Sequence, residues 1–194
     1  MPRWEPDSRG RLEQAALALY GERGFEQTTV AEIAARAGLT ERTFFRHFAD
    51  KREVLFAGAG SLQDLLVSAL TGTPDSAAPI DAIAAALQAA GAVLQERRQY
   101  ALQRQAVIAA NAELREREVI KLASLASALA NALRRRGVKE PAASLTAEAG
   151  IAVFKVAFEL AHGLQTCFQI SPFTHQFLRD GSIVPEVRIL DLGG

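Results

Sequence analysis

Thr28-Thr29-Val30-Ala31-Glu32-Ile33-Ala34-Ala35-Arg36-Ala37-Gly38-Leu39-Thr40-Glu41-Arg42-Thr43-Phe44-Phe45-Arg46-His47-Phe48-Ala49-Asp50-Lys51 is the stretch on which the fold turns. Thr29 followed three residues later by Glu32 is a capping box, in which hydroxyl and carboxylate each satisfy an orphan amide of the other. It opens a helix to about Ala37, with Val30, Ile33 and Ala34 on one side. Gly38 stops that helix, and only Leu39 separates it from the next cap, Thr40. A two-turn helix from Glu41 to Phe48 follows, ended by Ala49-Asp50. Asp50 to Glu53 reads as a second capping box, opening a longer helix towards Leu70. Two short helices around a glycine turn form a helix-turn-helix, the geometry that lays the second helix in the DNA major groove.

Charge agrees locally. Arg36, Arg42, Arg46, Lys51 and Arg52 fall within 17 residues against only Glu41 and Asp50, and His47 lies among them. Cations gathered at such a motif are the footprint of phosphate binding.

The same stretch resembles the signature of TetR-family repressors, which pair two threonines, then show Ile-Ala, Ala-Gly-Val-Ser, Thr-Leu-Tyr-x-His-Phe and a lysine just beyond. Gly24-Phe25 ahead of it also fits. The resemblance covers about a quarter of the chain. It implies that Thr29 caps the second helix and touches a phosphate. Thr40, Glu41, Arg42 and Thr43 open the recognition helix, with Arg42 the candidate for guanine through its bidentate fork. Phe45, Arg46 and His47 then lie along the backbone and groove wall, Lys51 meets a phosphate, and Ile33, Phe44 and Phe48 are core. Phe45 stands where the family has Tyr, so a phenolic hydroxyl to phosphate is lost, and Arg46 is placed to compensate.

Working outward, the 194 residues carry 22 Lys+Arg and 22 Asp+Glu, 49% hydrophobic and 23% charged. That composition supports a packed core rather than disorder. Zero net charge argues against a sequence-blind coat on nucleic acid. The single Cys167 excludes an internal disulfide and a multi-cysteine zinc site, so no cofactor and no metal is expected. Met1 to Glu5 has no apolar run for a secretory signal. No 18-residue stretch is expected to span a bilayer; the nearest, 151–168, holds Lys155, Glu159, His162 and Gln165. A cytoplasmic protein without a membrane partner is the expectation.

Helical spacing dominates, predicting an all-α chain. Residues 1–8 read as a flexible arm. A first helix runs from Arg9 to Arg23, burying Leu12, Ala15, Ala16, Leu19 and Tyr20, and Gly24 stops it. The domains follow as 9–55, a three-helix helix-turn-helix DNA-binding domain; 56–180, a helical effector-binding and dimerisation domain; and 181–194, an extended tail. Thr71 to Ser76 is the clearest linker, with helices near 79–97, 99–110, 112–136 and 142–169 beyond.

The helix from residue 142 is apolar on more than one face, through Ile151, Val153, Phe154, Val156, Phe158, Leu160, Leu164 and Phe168. One face is expected to pack inside and another, with Ile120, Leu122, Leu125, Leu129 and Leu133, in a four-helix dimer interface. A homodimer places two recognition helices about 34–36 Å apart on a near-palindromic site. A small, mostly hydrophobic effector is expected among Phe56, Leu66, Arg104, Phe154, Phe158, His162 and Gln165. Arg104 and the stretch Val107 to Arg117, followed by Leu122 to Arg136, are similar to TetR members like the mycofactocin regulator. That resemblance implies an acyl-CoA-like ligand, although those members have Pro where this chain has Ala112.

Enzyme readings lack a catalytic set, because His47, His162 and His175 are scattered and no phosphate-binding glycine loop exists. The readings left open are a ligand-responsive repressor, an all-helical dimeric scaffold without DNA binding, and an enzyme working in the apolar pocket.

Overall fold

The computed structural model describes residues 7–163, with side chains to residue 159. Residues 1–6, the helix beyond 163, Cys167, His175, the tail 181–194, Gln165 and the His162 side chain lie outside the described residues. Among the described residues all regular structure is helical: α1 (Ser8–Arg23), α2 (Val30–Arg36), α3 (Glu41–His47), α4 (Ala59–Thr71), α5 (Pro79–Glu96), α6 (Arg98–Ala110), α7 (Ala112–Arg135) and α8 (Ala142–Gly163).

The first three helices form because their signals are local. Asp7 caps α1 by accepting from the Gly10 amide at 2.9 Å. In the Thr29–Glu32 box the Thr29 amide donates to Glu32 Oε2 at 2.9 Å and the Glu32 amide to Thr29 Oγ1 at 3.3 Å. At the end of α2 the Leu39 amide reaches the Ala34 carbonyl at 2.8 Å and the Gly38 amide the Ala35 carbonyl at 3.0 Å. That pairing requires a left-handed residue, supplied by Gly38 at φ 66°. A Cβ there would also sit 2.8 Å from the Arg11 guanidinium.

The second capping box forms only by half. Asp50 accepts from the Arg52 and Glu53 amides at 2.8 and 3.1 Å. The Glu53 carboxylate does not return to Asp50; it pairs with Arg117 and Lys121 on α7. The helix expected to run unbroken to Leu70 is accordingly divided into a 3-10 turn, Glu53–Phe56, and α4, which begins after Gly58. The span Glu53–Thr71 has a mean hydropathy of 1.4 and is, by length and composition, long and apolar enough to cross a membrane. This corrects the expectation that no such stretch exists. Its inner face meets protein: Leu66 and Leu70 are buried against α5 and α7.

Two cores result. The first joins Leu12, Leu19, Tyr20, Phe25, Ile33, Phe44 and Phe48 with Leu55, Phe56 and the distant Ile108 and Leu114. The second is a four-helix packing of α4, α5, α7 and α8 around Leu66, Leu70, Ile83, Leu87, Leu129 and Leu133. Each such side chain contributes about 1.5–3 kcal/mol by leaving water. Gly150 lets α8 approach α5, since a Cβ there would lie 2.5 Å from Ile83 Cγ2.

Candidate nucleic-acid interface

α3 is held from below and open above. Phe44 is fully buried and Phe48 nearly so, with ring centroids 5.5 Å apart. Thr40 caps the helix, accepting from the Thr43 amide at 3.2 Å, while the two hydroxyls meet at 3.1 Å. On the outer side Thr40, Glu41, Arg42, Phe45 and Arg46 are all exposed. Residues three and four apart share a helix face, so these side chains form one stripe. The arrangement is a rigid platform presenting a short, chemically mixed helix surface.

The remaining cations are engaged within the protein. Arg36 grips Glu22 with two bonds at 3.0 and 2.7 Å. Arg52 pairs with Asp50 and with Glu113 of α7. The Arg52 guanidinium and two backbone amides hold the Asp50 carboxyl below its ordinary range. Lys51 departs furthest from expectation. Its Nζ donates to the carbonyls of Phe25, Glu26 and Thr28 at 2.9, 3.3 and 3.0 Å, and lies 4.3 Å from the Phe25 ring centre. An ammonium has three donors. All of them face the α1–α2 loop, so Lys51 is a brace here rather than a free phosphate ligand. His47 is half-buried, its Nε2 2.8 Å from Ser8 Oγ at the start of α1.

Residues 13–57 match the family described as bacterial regulatory proteins, tetR family. The HTH-type transcriptional regulator TcmR of Streptomyces glaucescens is 37% identical over 82 residues, 42% of this chain and 36% of that protein. An HTH-type transcriptional repressor of Mycobacterium tuberculosis is 36% identical over 94 residues, 48% of each chain. Over these N-terminal stretches the chain is similar to tetR-family regulators. It spans a third to a half of the length of these curated relatives, which are regulators, not enzymes. The TetR-type fold extends through the C-terminal helices. FadR of Bacillus subtilis in complex with stearoyl-CoA superposes with a TM-score of 0.65 at 16% identity, covering 90% of this chain and 99% of that one. SmeT in its triclosan complex gives 0.65 at 21%, covering 96% and 99%.

The TetR-like C-terminal part does not gather the expected effector residues. Leu66, Phe154 and Phe158 belong to the second core, the two phenyl rings stacked at 6.3 Å. Phe56 belongs to the first core instead, under the Arg104 guanidinium at 5.0 Å from the ring centre. Arg104 is a joint, not a pocket wall: Nε donates to the Leu55 carbonyl at 2.6 Å, and Nη1 lies 3.5 Å from Glu118. Burial pushes its pKa down, opposed by Glu118. An open cleft of about 520 Å³ lies elsewhere, between α1 and the α5–α6 corner, lined by Asp7, Glu13 and Tyr100 among others.

Sequence reasoning missed the residues joining the two cores. Asn111 caps α7, accepting from the Leu114 amide at 3.2 Å, and donates to Glu26 in the α1–α2 loop at 2.8 Å. Glu53 meets Arg117 and Lys121 across 64 and 68 residues. The only local signal was the Asn111 cap; the rest depends on chain crossing.

Proposed function

We propose that the chain is a homodimeric, ligand-responsive transcriptional repressor. α3 of each protomer enters the major groove of a near-palindromic operator, and a hydrophobic small molecule in the C-terminal bundle releases it. The observation that carries this reading is the exposed stripe of Thr40, Glu41, Arg42, Phe45 and Arg46 on a helix fixed by buried Phe44 and Phe48. Arg42 offers a guanine its fork, and Arg46 faces phosphate. The paired hydroxyls of Thr40 and Thr43 at the start of α3 leave one O–H for the DNA backbone, whereas the amide and hydroxyl of Thr29 are both given to Glu32. Glu41 selects against a misplaced phosphate, and His47 fixes α3 to α1.

The effector reading draws on neighbours whose bound molecules are stearoyl-CoA and triclosan, and on the apolar second core around Leu66, Phe154 and Phe158, which a ligand must part to enter. An acyl-CoA is its most specific form. Coupling does not need an unbroken helix from Lys51 to Leu70. The α6–α7 corner inserts Ile108 and Leu114 into the first core, and Asn111 and Arg117 grip Glu26 and Glu53. A ligand that prefers one tilt of α7 therefore changes the setting of α3 by its differential affinity for the two tilts.

Selection from random duplexes tests the first step, followed by titration of acyl-CoAs of increasing length into the complex. A near-palindrome bound in the nanomolar range at moderate salt is the expected result. With Arg36, Lys51 and Arg52 engaged internally and Arg42 on a base, about two cations per dimer, the Arg46 pair, meet phosphate, so log K falls with log salt at a slope of roughly −2. Failure to enrich any duplex overturns DNA binding. A slope near −8 overturns the internal engagement of those cations. Release by no chain length, with release by an unrelated aromatic compound, removes the acyl reading and keeps the effector.

A further inference from the structure

Phe45 is 56% exposed, a large apolar side chain on a helix face otherwise made of Thr40, Glu41, Arg42 and Arg46. It is not a displaced core residue, because Phe44 and Phe48 already fill the space below α3. Its ring stands edge-on against Phe44, centroids 5.4 Å apart at 82°, which limits the directions it can point. A phenyl group carries no donor and cannot bond a phosphate. Its place between two cations of one stripe assigns it to the same surface they contact. Among the groups that base pairs expose in the major groove, the apolar one is the C5-methyl of thymine.

We infer that Phe45 reads the methyl of a thymine beside the guanine taken by Arg42, a specificity contact that rests on the DNA-binding reading above. Spacing supports the adjacency. Three residues of helix advance about 4.5 Å, and successive base pairs lie about 3.4 Å apart. Phe45 is therefore one step from Arg42 along the groove. The lost phenolic hydroxyl is not a defect in this arrangement, since the ring is covered by a methyl instead of being tethered to the backbone.

The test uses the operator recovered by selection, with each thymine replaced singly by deoxyuridine, which lacks only the methyl. One position in each half-site, within one or two base pairs of the guanine whose preference Arg42→Ala relaxes, should lose about fourfold in affinity, the worth of one buried methyl. The other positions should not change. Phe45→Ala should melt as the unmodified protein does, bind more weakly, and become indifferent to that methyl, whereas Phe45→Tyr should keep the sensitivity. Specific binding with no deoxyuridine effect, or an effect that persists in Phe45→Ala, overturns the assignment and leaves DNA binding intact. Enrichment of no duplex overturns both.

Discussion

Lys51 shows what a residue type conceals. Position and charge mark it for phosphate, yet its ammonium joins three loop carbonyls and the Phe25 ring. Removing it leaves two partly buried carbonyls without their donor, at a cost of about 1 kcal/mol, and loses a cation–π contact of about 0.5–1 kcal/mol. Lys51→Ala should therefore lower the melting temperature by several degrees while leaving the salt slope of DNA binding unchanged. A variant that melts normally but binds with a flatter slope would return Lys51 to the phosphate. Arg42→Ala should do the opposite, leaving melting unaltered and relaxing preference at one base by about 1–3 kcal/mol. The two differ because Arg42 is exposed and Lys51 is turned inward. Burial of Ile33 was legible from spacing, and that of Phe44 and Phe48 from the family resemblance. The partners of Lys51 were not, since they lie more than 20 residues away and are backbone carbonyls, which every sequence offers.

Elements were legible wherever their signals close within four residues. The Thr29–Glu32 box and the Gly38 stop are of that kind, and both form. Asp50 to Glu53 has the same cap-to-carboxylate spacing, but Glu53 pairs instead with Arg117 and Lys121, so the box stays open and the helix is divided. Gly58 and Gly60 sit at the division. Gly60 has no neighbour within 4 Å of an added Cβ. Glycine inside a helix costs about 0.5–1 kcal/mol relative to alanine. Gly60→Ala should accordingly raise stability by about that amount in chemical denaturation. A fall in stability would mean that α4 needs the freedom of glycine at this joint, and its start would then be strained rather than merely weak.

At the scale of the molecule, the sequence boundary at residue 55 falls inside a core, because Phe56, Ile108 and Leu114 complete the packing around α1 to α3. Periodicity reveals that a face is apolar but not which core receives it, so Phe56 and Arg104 were expected beside an effector and instead join the two halves. The same reasoning bears on the faces that receive nothing within one chain. Leu145, Ala149, Ala152 and Val156 fall on a single stripe of α8, and all are exposed. Val119 and Ile120 of α7 are 61% and 49% exposed. Such surface is unfavourable in water and suits a second copy, which a two-fold operator also requires. Sedimentation should find a dimer at tens of micromolar. Val156→Glu should shift it to monomer, and because Val156 packs against nothing in its own chain's core the protomer should stay folded. Phe158→Glu would be ambiguous, since Phe158 packs against the second core. A monomeric unmodified chain at that concentration would remove α7 and α8 as the interface, and with it the pairing of two α3 helices on one palindrome.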